Sequence, residues 1–145
     1  MDKELKSAEE LQAEAARFAR SLAPLSTGAT LVTLSGELGA GKTTFTQALA
    51  SALGVTETVT SPTFVLEKIY DLPEGDAFAR LAHIDAYRLE GEGALGPLGF
   101  QELMKDTGTL VVLEWPEMVA SDLPKSAHAL MLTVMPDNTR TLSYA

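Results

Sequence analysis

Hydrophobic side chains recur in the first part of the chain at the spacing of an α-helix. Behind a Ser-Ala-Glu-Glu pattern that begins at Ser7 and is typical of a helix N-terminus, four apolar residues repeat on one face: Leu11, Ala15, Phe18 and Leu22. This pattern predicts that the domain begins with an amphipathic helix. Proline and glycine within residues 24–28 then predict a turn into the first strand.

Runs of apolar and β-branched residues further along the chain predict strands. The run over residues 109–113, Thr-Leu-Val-Val-Leu, is typical of a central strand that is buried on both faces. Similar but shorter runs predict strands at residues 30–34, 63–70, 79–84, 129–134 and 139–143. Turn-forming residues at 72–76 and 136–138 predict that two pairs of these strands are antiparallel neighbours.

Glycine is frequent over residues 90–99, and this composition predicts an exposed loop. The loop is a candidate mobile element. A short helix is expected directly after it, at residues 100–104.

Residues 36–43 have the sequence Gly-Glu-Leu-Gly-Ala-Gly-Lys-Thr, which is a complete phosphate-binding loop. Glycines let backbone N–H groups close around an anion, Lys42 supplies a positive charge, and the Thr43 hydroxyl is a ligand for Mg²⁺. A helix predicted over residues 43–53 points its free N–H groups at the phosphate. The expected contacts to ATP are therefore Glu37, Leu38, Gly39, Ala40, Gly41, Lys42, Thr43 and Thr44.

The order strand, loop and helix is that of a P-loop NTPase. We expect one α/β domain over residues 1–145, folded as a three-layer α/β/α sandwich. Its central sheet is predicted to be mixed and largely parallel, with antiparallel additions.

Two acids follow predicted buried strands. Glu114 ends the run at 110–113, and Asp85 follows the strand at 79–84. Ligands of open α/β sheets collect at the carboxyl ends of the strands, so both acids are expected beside the phosphates. Glu114 is the candidate Mg²⁺ ligand together with Thr43, and either acid is a candidate for orienting the attacking water. A solvent-facing acid is the alternative for Glu114, and a helix N-cap is the alternative for Asp85.

The loop between the phosphate-loop helix and the next strand carries several hydroxyl groups. Thr60, Ser61 and Thr63 are candidates for a switch that senses the γ-phosphate, and a structural turn is the alternative.

Three more side chains stand next to the two acids in sequence. Trp115 is a candidate wall of the site, with core packing as the alternative. Arg88 is a candidate for a charge-stabilising finger, although a single arginine after an acid more often forms a surface ion pair. His83 alternates within an apolar strand, which favours a core histidine over a catalytic base.

Composition narrows the class of protein. Apolar residues make up 46% and charged residues 21% of the 145, as in soluble globular domains, and no apolar run is long enough to cross a membrane. The N-terminus lacks the pattern of a secretory signal, so the cytoplasm is the expected location. Eleven basic and twenty acidic side chains give a net charge of -9, and we therefore expect no tight, direct binding to nucleic acid.

Four motifs together resemble the TsaE (YjeE) family of bacteria: residues 34–45 around the phosphate loop, Ser-Pro-Thr-Phe at 61–64, His-Ile-Asp-Ala-Tyr-Arg-Leu at 83–89 and Leu-Glu-Trp-Pro-Glu at 113–117. The resemblance implies a small ATPase of weak intrinsic activity, needed to make threonylcarbamoyladenosine in tRNA. It also implies binding to the TsaD and TsaB pair, whose turnover the hydrolysis of ATP supports.

The same resemblance implies roles for individual residues. Lys42 is expected to contact the β- and γ-phosphates, Thr43 and Glu114 to bind Mg²⁺, and Asp85 and Trp115 to support hydrolysis. Arg140, close to the end of the chain, is a candidate neighbour of the nucleotide.

Two other functions use the same loop. A small-molecule kinase transfers the phosphoryl group to a bound acceptor, although this chain is short for an acceptor-binding insertion. A nucleotide-controlled binding module does not depend on hydrolysis. A GTPase switch is disfavoured because the sequence contains no Asn-Lys-x-Asp motif for reading the base.

Overall fold

The computed structural model of the chain describes residues 2–59, 67–89, 93–124 and 128–145. The strands in these ranges are β1 Asp2–Leu5, β2 Thr30–Ser35, β3 Glu67–Asp71, β4 Arg80–Asp85, β5 Thr109–Glu114, β6 His128–Val134 and β7 Arg140–Tyr144. The α-helices are α1 Ala8–Ser21, α2 Lys42–Ala52 and α3 Phe100–Leu103, and two 3₁₀ helices span Gly96–Leu98 and Pro116–Asp122.

The seven strands form one mixed sheet in the order β1-β7-β6-β2-β5-β4-β3. The four central strands, β6, β2, β5 and β4, are parallel to their neighbours within this group. Strands β7 and β1 at one edge and β3 at the other are antiparallel additions. This arrangement confirms the expected α/β class, the buried position of β5, and the two antiparallel pairs β3–β4 and β6–β7.

The first element of the fold is a strand, so the expectation that a helix begins the domain is wrong. Strand β1 has the sequence Asp-Lys-Glu-Leu, of which only Leu5 is buried. It pairs with β7 at the edge of the sheet. A strand of four residues with three charged side chains has no apolar alternation from which to predict it.

The sheet separates two apolar clusters. Helices α1 and α2 cover one face, where Phe18, Phe45 and Leu49 pack against β2, β5, β6 and β7. The other face is covered by α3 and the two 3₁₀ helices, and its core includes Phe100 and Val119. These are the three layers of the expected sandwich, with short helical segments in place of long helices on the second face.

Part of the Gly-rich segment belongs to this second core. Leu95 is buried, and the N–H groups of Gly93 and Leu95 donate to the carboxylate of Asp122 at 3.0–3.5 Å. The expectation of an exposed loop over residues 90–99 is therefore wrong at Leu95, because a carboxylate distant in sequence satisfies the backbone there. The short helix expected directly after this segment is confirmed as α3.

Helix α1 begins as its sequence pattern predicts, and it carries a buried acid. The Ser7 hydroxyl accepts from the N–H of Glu10 at 3.1 Å, which is an N-cap. Glu14, 7% exposed, accepts hydrogen bonds from Lys3 Nζ, from the Arg17 guanidinium and from the Tyr144 hydroxyl. These contacts, led by Arg17, lower the pKa of Glu14 to about 2. Glu14 thus links α1 to the edge strands β1 and β7.

Within the described ranges, no helix has the length and apolar character needed to cross a membrane.

Candidate functional site

The phosphate loop connects the carboxyl end of β2 to the amino end of α2, and its glycines adopt conformations that side chains disfavour. Gly36, Gly39 and Gly41 have φ angles of 144°, 81° and 108°. A Cβ atom added to Gly36 would lie 2.5 Å from the carbonyl oxygen of Leu132 on β6. Glycine is therefore required at this position both for its φ angle and for its close approach to the sheet.

The amino end of α2 begins without a side-chain cap. Gly41 is the N-cap residue, and it has no side chain that could satisfy the N–H groups of the first turn. The N–H of Phe45 donates to the carbonyl of Gly41 at 2.8 Å, so the helix is regular from its first turn. Unsatisfied N–H groups and the positive end of the helix dipole make this terminus suitable for phosphate.

Lys42 is buried beside the loop, and its ammonium group is held by the loop itself. Its Nζ donates to the carbonyl oxygens of Gly36 at 2.5 Å and Glu37 at 2.9 Å, and it lies 4.2 Å from the centre of the Trp115 ring. Burial lowers the pKa of Lys42, while the nearby carboxylates, Glu114 first among them, oppose this shift. The positive charge is thus placed at the mouth of the loop.

The two predicted acids are neighbours across the sheet. Asp85 ends β4 and Glu114 ends β5, and these two residues are paired in the register of the parallel strands. Both side chains are buried. The structure therefore brings together at the carboxyl edge two acids that lie 29 positions apart in the sequence.

A cavity of about 380 Å³ lies between the loop and the acids. Its walls contain Asp85, Glu114 and Trp115, and six of the expected nucleotide contacts: Leu38, Gly39, Gly41, Lys42, Thr43 and Thr44. The other two expected contacts are part of the loop structure, since Ala40 N donates to Glu37 O at 3.1 Å.

Oxygen donors around this cavity fit Mg²⁺. Thr43 contributes a hydroxyl from the first turn of α2, and Glu114 and Asp85 contribute carboxylates. Within the described ranges, no three histidine or acidic side chains form a complete metal cluster. Mg²⁺ in nucleotide sites is usually held by one or two carboxylates together with phosphate oxygens and water, so this donor set suits Mg²⁺ that arrives with a nucleotide.

Glu114 has a partner that the sequence did not suggest. His83 Nε2 lies 2.5 Å from Glu114 Oε2, and these side chains are 0% and 2% exposed. His83 is a core histidine, as expected, but it contacts the candidate metal ligand. The contact follows from the register of the parallel strands, in which His83 pairs with Val112, two positions before Glu114 and on the same face of β5. No local pattern in the sequence indicates this register.

Trp115 lines the cavity and also packs, partly buried, against the second apolar cluster. Its φ of 62° and ψ of 52° are left-handed, and its N–H donates to the carbonyl of Leu34 on β2 at 3.1 Å. Its ring packs against Tyr87, with ring centres 4.8 Å apart, and against Lys42. Tyr87 also lines the cavity, a position that the sequence analysis did not assign.

Arg140 on β7 reaches the phosphate loop from the side of β2 that is occupied by β6 and β7, whereas the two acids lie on the other side of β2. Its guanidinium donates to the carbonyl oxygens of Ala40 at 3.2 Å, Gly39 at 3.3 Å and Asn138 at 2.8 Å. It also lines a second cavity of about 280 Å³ that lies between the loop and the start of α1. The candidate nucleotide neighbour is thus in contact with the loop backbone.

The remaining candidates are less informative. Thr60, Ser61 and Thr63 lie outside the described residues. Asp85 Oδ1 accepts from the N–H of Tyr87 at 2.9 Å and so stabilises a turn, and residues 86–89, where the described range ends, contain no helix. Arg88 is exposed on that turn.

A family model and several known proteins match this chain over most of its length. The family model described as "Threonylcarbamoyl adenosine biosynthesis protein TsaE" matches residues 5–142. A protein of Treponema pallidum with the name tRNA threonylcarbamoyladenosine biosynthesis protein TsaE is 37% identical over 132 residues, 91% of this chain and 93% of its own. A Streptomyces coelicolor protein of the same name is 43% identical over 115 residues, 78% of this chain and 74% of its own.

A solved structure also resembles the chain. The crystal structure of YdiB from Bacillus subtilis superposes with a TM-score of 0.79 at 29% identity. The match covers 99% of this chain and 83% of the YdiB chain. The phosphate loop, both acids and the strands that carry them lie within the residues matched by the family model.

Proposed function

The chain belongs to the TsaE family, and from this premise we propose that it is a Mg²⁺-dependent ATPase of low intrinsic activity. It acts in the cytoplasm with the TsaB and TsaD proteins, and its hydrolysis of ATP supports the turnover of that complex in the threonylcarbamoyladenosine modification of tRNA. Involvement in this biosynthesis follows the printed names of its relatives. The ATPase activity and the two partners are the further steps of the proposal.

One observation supports this activity most strongly: Lys42, Thr43, Asp85 and Glu114 surround a single cavity at the mouth of the phosphate loop. The first two come from the start of α2 and the last two from adjacent strands. A loop that only turns the chain would not need a buried lysine beside two buried acids, because burying charge is costly unless it is used or compensated.

Each residue then has a defined task. The N–H groups at the start of α2 and the Lys42 ammonium bind the phosphates. Thr43 and Glu114 would hold Mg²⁺, and the ion would supply positive charge to neutralise the charge that develops on the transferred phosphoryl group. Asp85 orients the attacking water, and Trp115 closes the side of the cavity and excludes bulk solvent. Positioning and electrostatic stabilisation account for most of the catalysis of phosphoryl transfer.

The surface around the cavity supports a role for partners. Leu38 and Tyr87, both on the wall of the cavity, are 70% and 43% exposed. Large apolar side chains at the rim of a charged site favour a protein that docks over it. The open cavity in the isolated chain is consistent with weak hydrolysis in the absence of such a partner.

The test is steady-state and single-turnover hydrolysis of ATP by the wild type and by Lys42→Ala and Glu114→Ala, each with and without TsaB and TsaD. We expect weak hydrolysis alone, stimulation by the partners, and loss in both variants. Lys105→Ala and Glu102→Ala are matched controls, because they remove an exposed ion pair at α3, on the face of the sheet opposite to α2.

Other outcomes would favour other functions. Stimulation by a small hydroxylated metabolite, with a phosphorylated product, would indicate a kinase. Tight ATP binding without turnover, even with TsaB and TsaD present, would indicate a nucleotide-controlled binding module.

A further inference from the structure

The contact between His83 and Glu114 joins two fully buried side chains on adjacent strands. His83 lies in the middle of β4, two positions before Asp85, and Glu114 is the last residue of β5. Their contact joins Nε2 to Oε2 at 2.5 Å. Whichever of the two atoms carries the hydrogen, this bond fixes one carboxylate oxygen against the imidazole ring.

His83 is not explained by core packing alone. Among the described residues, the buried Nδ1 of His83 has no hydrogen-bond partner. The polar contact that the structure shows for the imidazole ring among these residues is therefore the one from Nε2 to Glu114. A buried polar atom without a partner costs free energy that an apolar side chain at the same place would not. The neighbours of His83 on β4 are apolar and fully buried: Leu81, Ala82 and Ile84.

We propose that His83 is a positioning residue for Glu114: its ring holds Oε2 of the carboxylate, so that Oε1 would be the oxygen left to bind Mg²⁺. This inference rests on the proposed function, because it assigns Glu114 to the metal. Without the bond, the carboxylate would sample other rotamers within the buried pocket and would meet the ion less often in the productive geometry.

The expected size of the effect follows from other metal sites. Removing a group that orients a metal ligand usually lowers metal affinity about 10–100-fold. Mg²⁺ in a nucleotide site is held mainly by phosphates and water, so we expect the lower end, about ten-fold.

Two amide substitutions test the proposal as a matched pair. The amide of glutamine reaches about as far as the Nε2 of histidine, whereas the shorter amide of asparagine reaches only the position of Nδ1. His83→Gln should therefore retain the contact to Glu114, and His83→Asn should lose it. His83→Leu is a second loss variant that fills the space without any polar group. Tyr70→Phe is the control, because it removes a different buried polar group, on the neighbouring strand β3.

The readout is the affinity for Mn²⁺, measured by electron paramagnetic resonance on folded protein that is saturated with a non-hydrolysable ATP analogue. His83→Asn and His83→Leu should raise the dissociation constant about ten-fold, and His83→Gln should stay within about two-fold of the wild type. Binding of the analogue without metal, followed by the fluorescence of the single tryptophan Trp115, should not change in any of them.

The outcomes separate this inference from the proposed function. If the wild type binds no Mn²⁺ with the analogue, the proposed function fails. If the wild type binds it and a folded loss variant binds it equally well, only the role of His83 is wrong. If His83→Gln and His83→Asn weaken Mn²⁺ binding equally, that role is also overturned. Such a result would show that the shape of the imidazole ring matters and that a polar atom within reach of Glu114 does not.

Discussion

Two glutamates buried in the same sheet-and-helix core, Glu14 and Glu114, have opposite surroundings. Glu14 is bonded to Lys3 and Arg17 as well as to a tyrosine hydroxyl, and these contacts lower its pKa to about 2. Glu114 has a histidine on one oxygen and a second acid, Asp85, as its cross-strand partner. Lys42 is the cation that shares its cavity.

The difference separates a structural carboxylate from a functional one. Two cations compensate Glu14, and the result is a fixed link between α1 and the edge strands. Two acids next to one lysine leave the carboxyl edge of β4 and β5 rich in negative charge, which an incoming divalent cation would compensate. Burial alone does not distinguish these acids, but the charge of their neighbours does.

The largest effect is expected from removing the charge of Glu114. Glu114→Gln should lower kcat for Mg²⁺-dependent ATP hydrolysis about 100-fold, because an oriented charge in the site is lost. The melting temperature of this variant should stay close to that of the wild type, since an amide group, which has both a donor and an acceptor, can keep the hydrogen bond to His83 Nε2. The matched substitution Glu14→Gln should leave kcat within about two-fold. Equal losses of activity in the two variants would contradict the distinction.

For stability, we expect the larger effect from Glu14→Gln and the smaller effect from Glu114→Gln. Glu14→Gln should lower the free energy of unfolding by about 2 kcal/mol. The pKa shift of Glu14 alone corresponds to about 3 kcal/mol, but Arg17 is partly exposed, and screening by solvent weakens its ion pair with Glu14. Urea denaturation measures it, with Glu9→Gln, an exposed acid of the same helix, as the control. A change no larger than that of the control would show that the Glu14 network is not stabilising.

The same network predicts how stability depends on pH. The pKa of Glu14 is lower in the folded protein than in the unfolded chain, so its contribution is complete above about pH 4.5. The contribution is lost as the pH falls from about 4.5 to about 2, because the Glu14 carboxylate of the folded protein must then be protonated and loses its ion pairs. Denaturation curves of the wild type and Glu14→Gln should converge over this range, and a constant difference down to pH 2 would be inconsistent with it.

A smaller effect is expected from Arg140, which connects β7 to the phosphate loop. Arg140→Ala should weaken ATP binding about five-fold, since the bonds to Gly39 and Ala40 are partly exposed and hold the loop indirectly. Isothermal titration calorimetry measures this affinity. Arg80→Ala is the control, because it removes a surface ion pair with Asp106 that lies apart from the loop. Similar affinities in the two variants would limit Arg140 to a structural role.

The sequence allowed prediction of the features whose signals are local. The phosphate loop is a contiguous motif, and Glu114 follows an apolar run that is buried along its whole length. The N-cap of α1 and the two antiparallel strand pairs were predictable for the same reason.

Features that depend on strand register or distant contacts were not predictable in this way. The bond from His83 to Glu114 needs the alignment of β4 with β5. The burial of Leu95 needs the carboxylate of Asp122, and Arg140 reaches a loop 100 positions earlier in the chain. The sequence of β1 is mostly charged, so its own pattern does not predict a strand. It forms a strand by pairing with β7.

The central claim is that the loop at residues 36–43 and the acids beside it form a site for Mg²⁺ and ATP. Calorimetric titration of the wild type and of Lys42→Ala with ATP in the presence of Mg²⁺ tests it most directly, with circular dichroism to confirm folding. We predict one ATP bound per wild-type chain and binding about 100-fold weaker in Lys42→Ala, because the phosphates lose a buried, charged partner. No binding to the wild type, or equal binding to a folded Lys42→Ala variant, would contradict the claim.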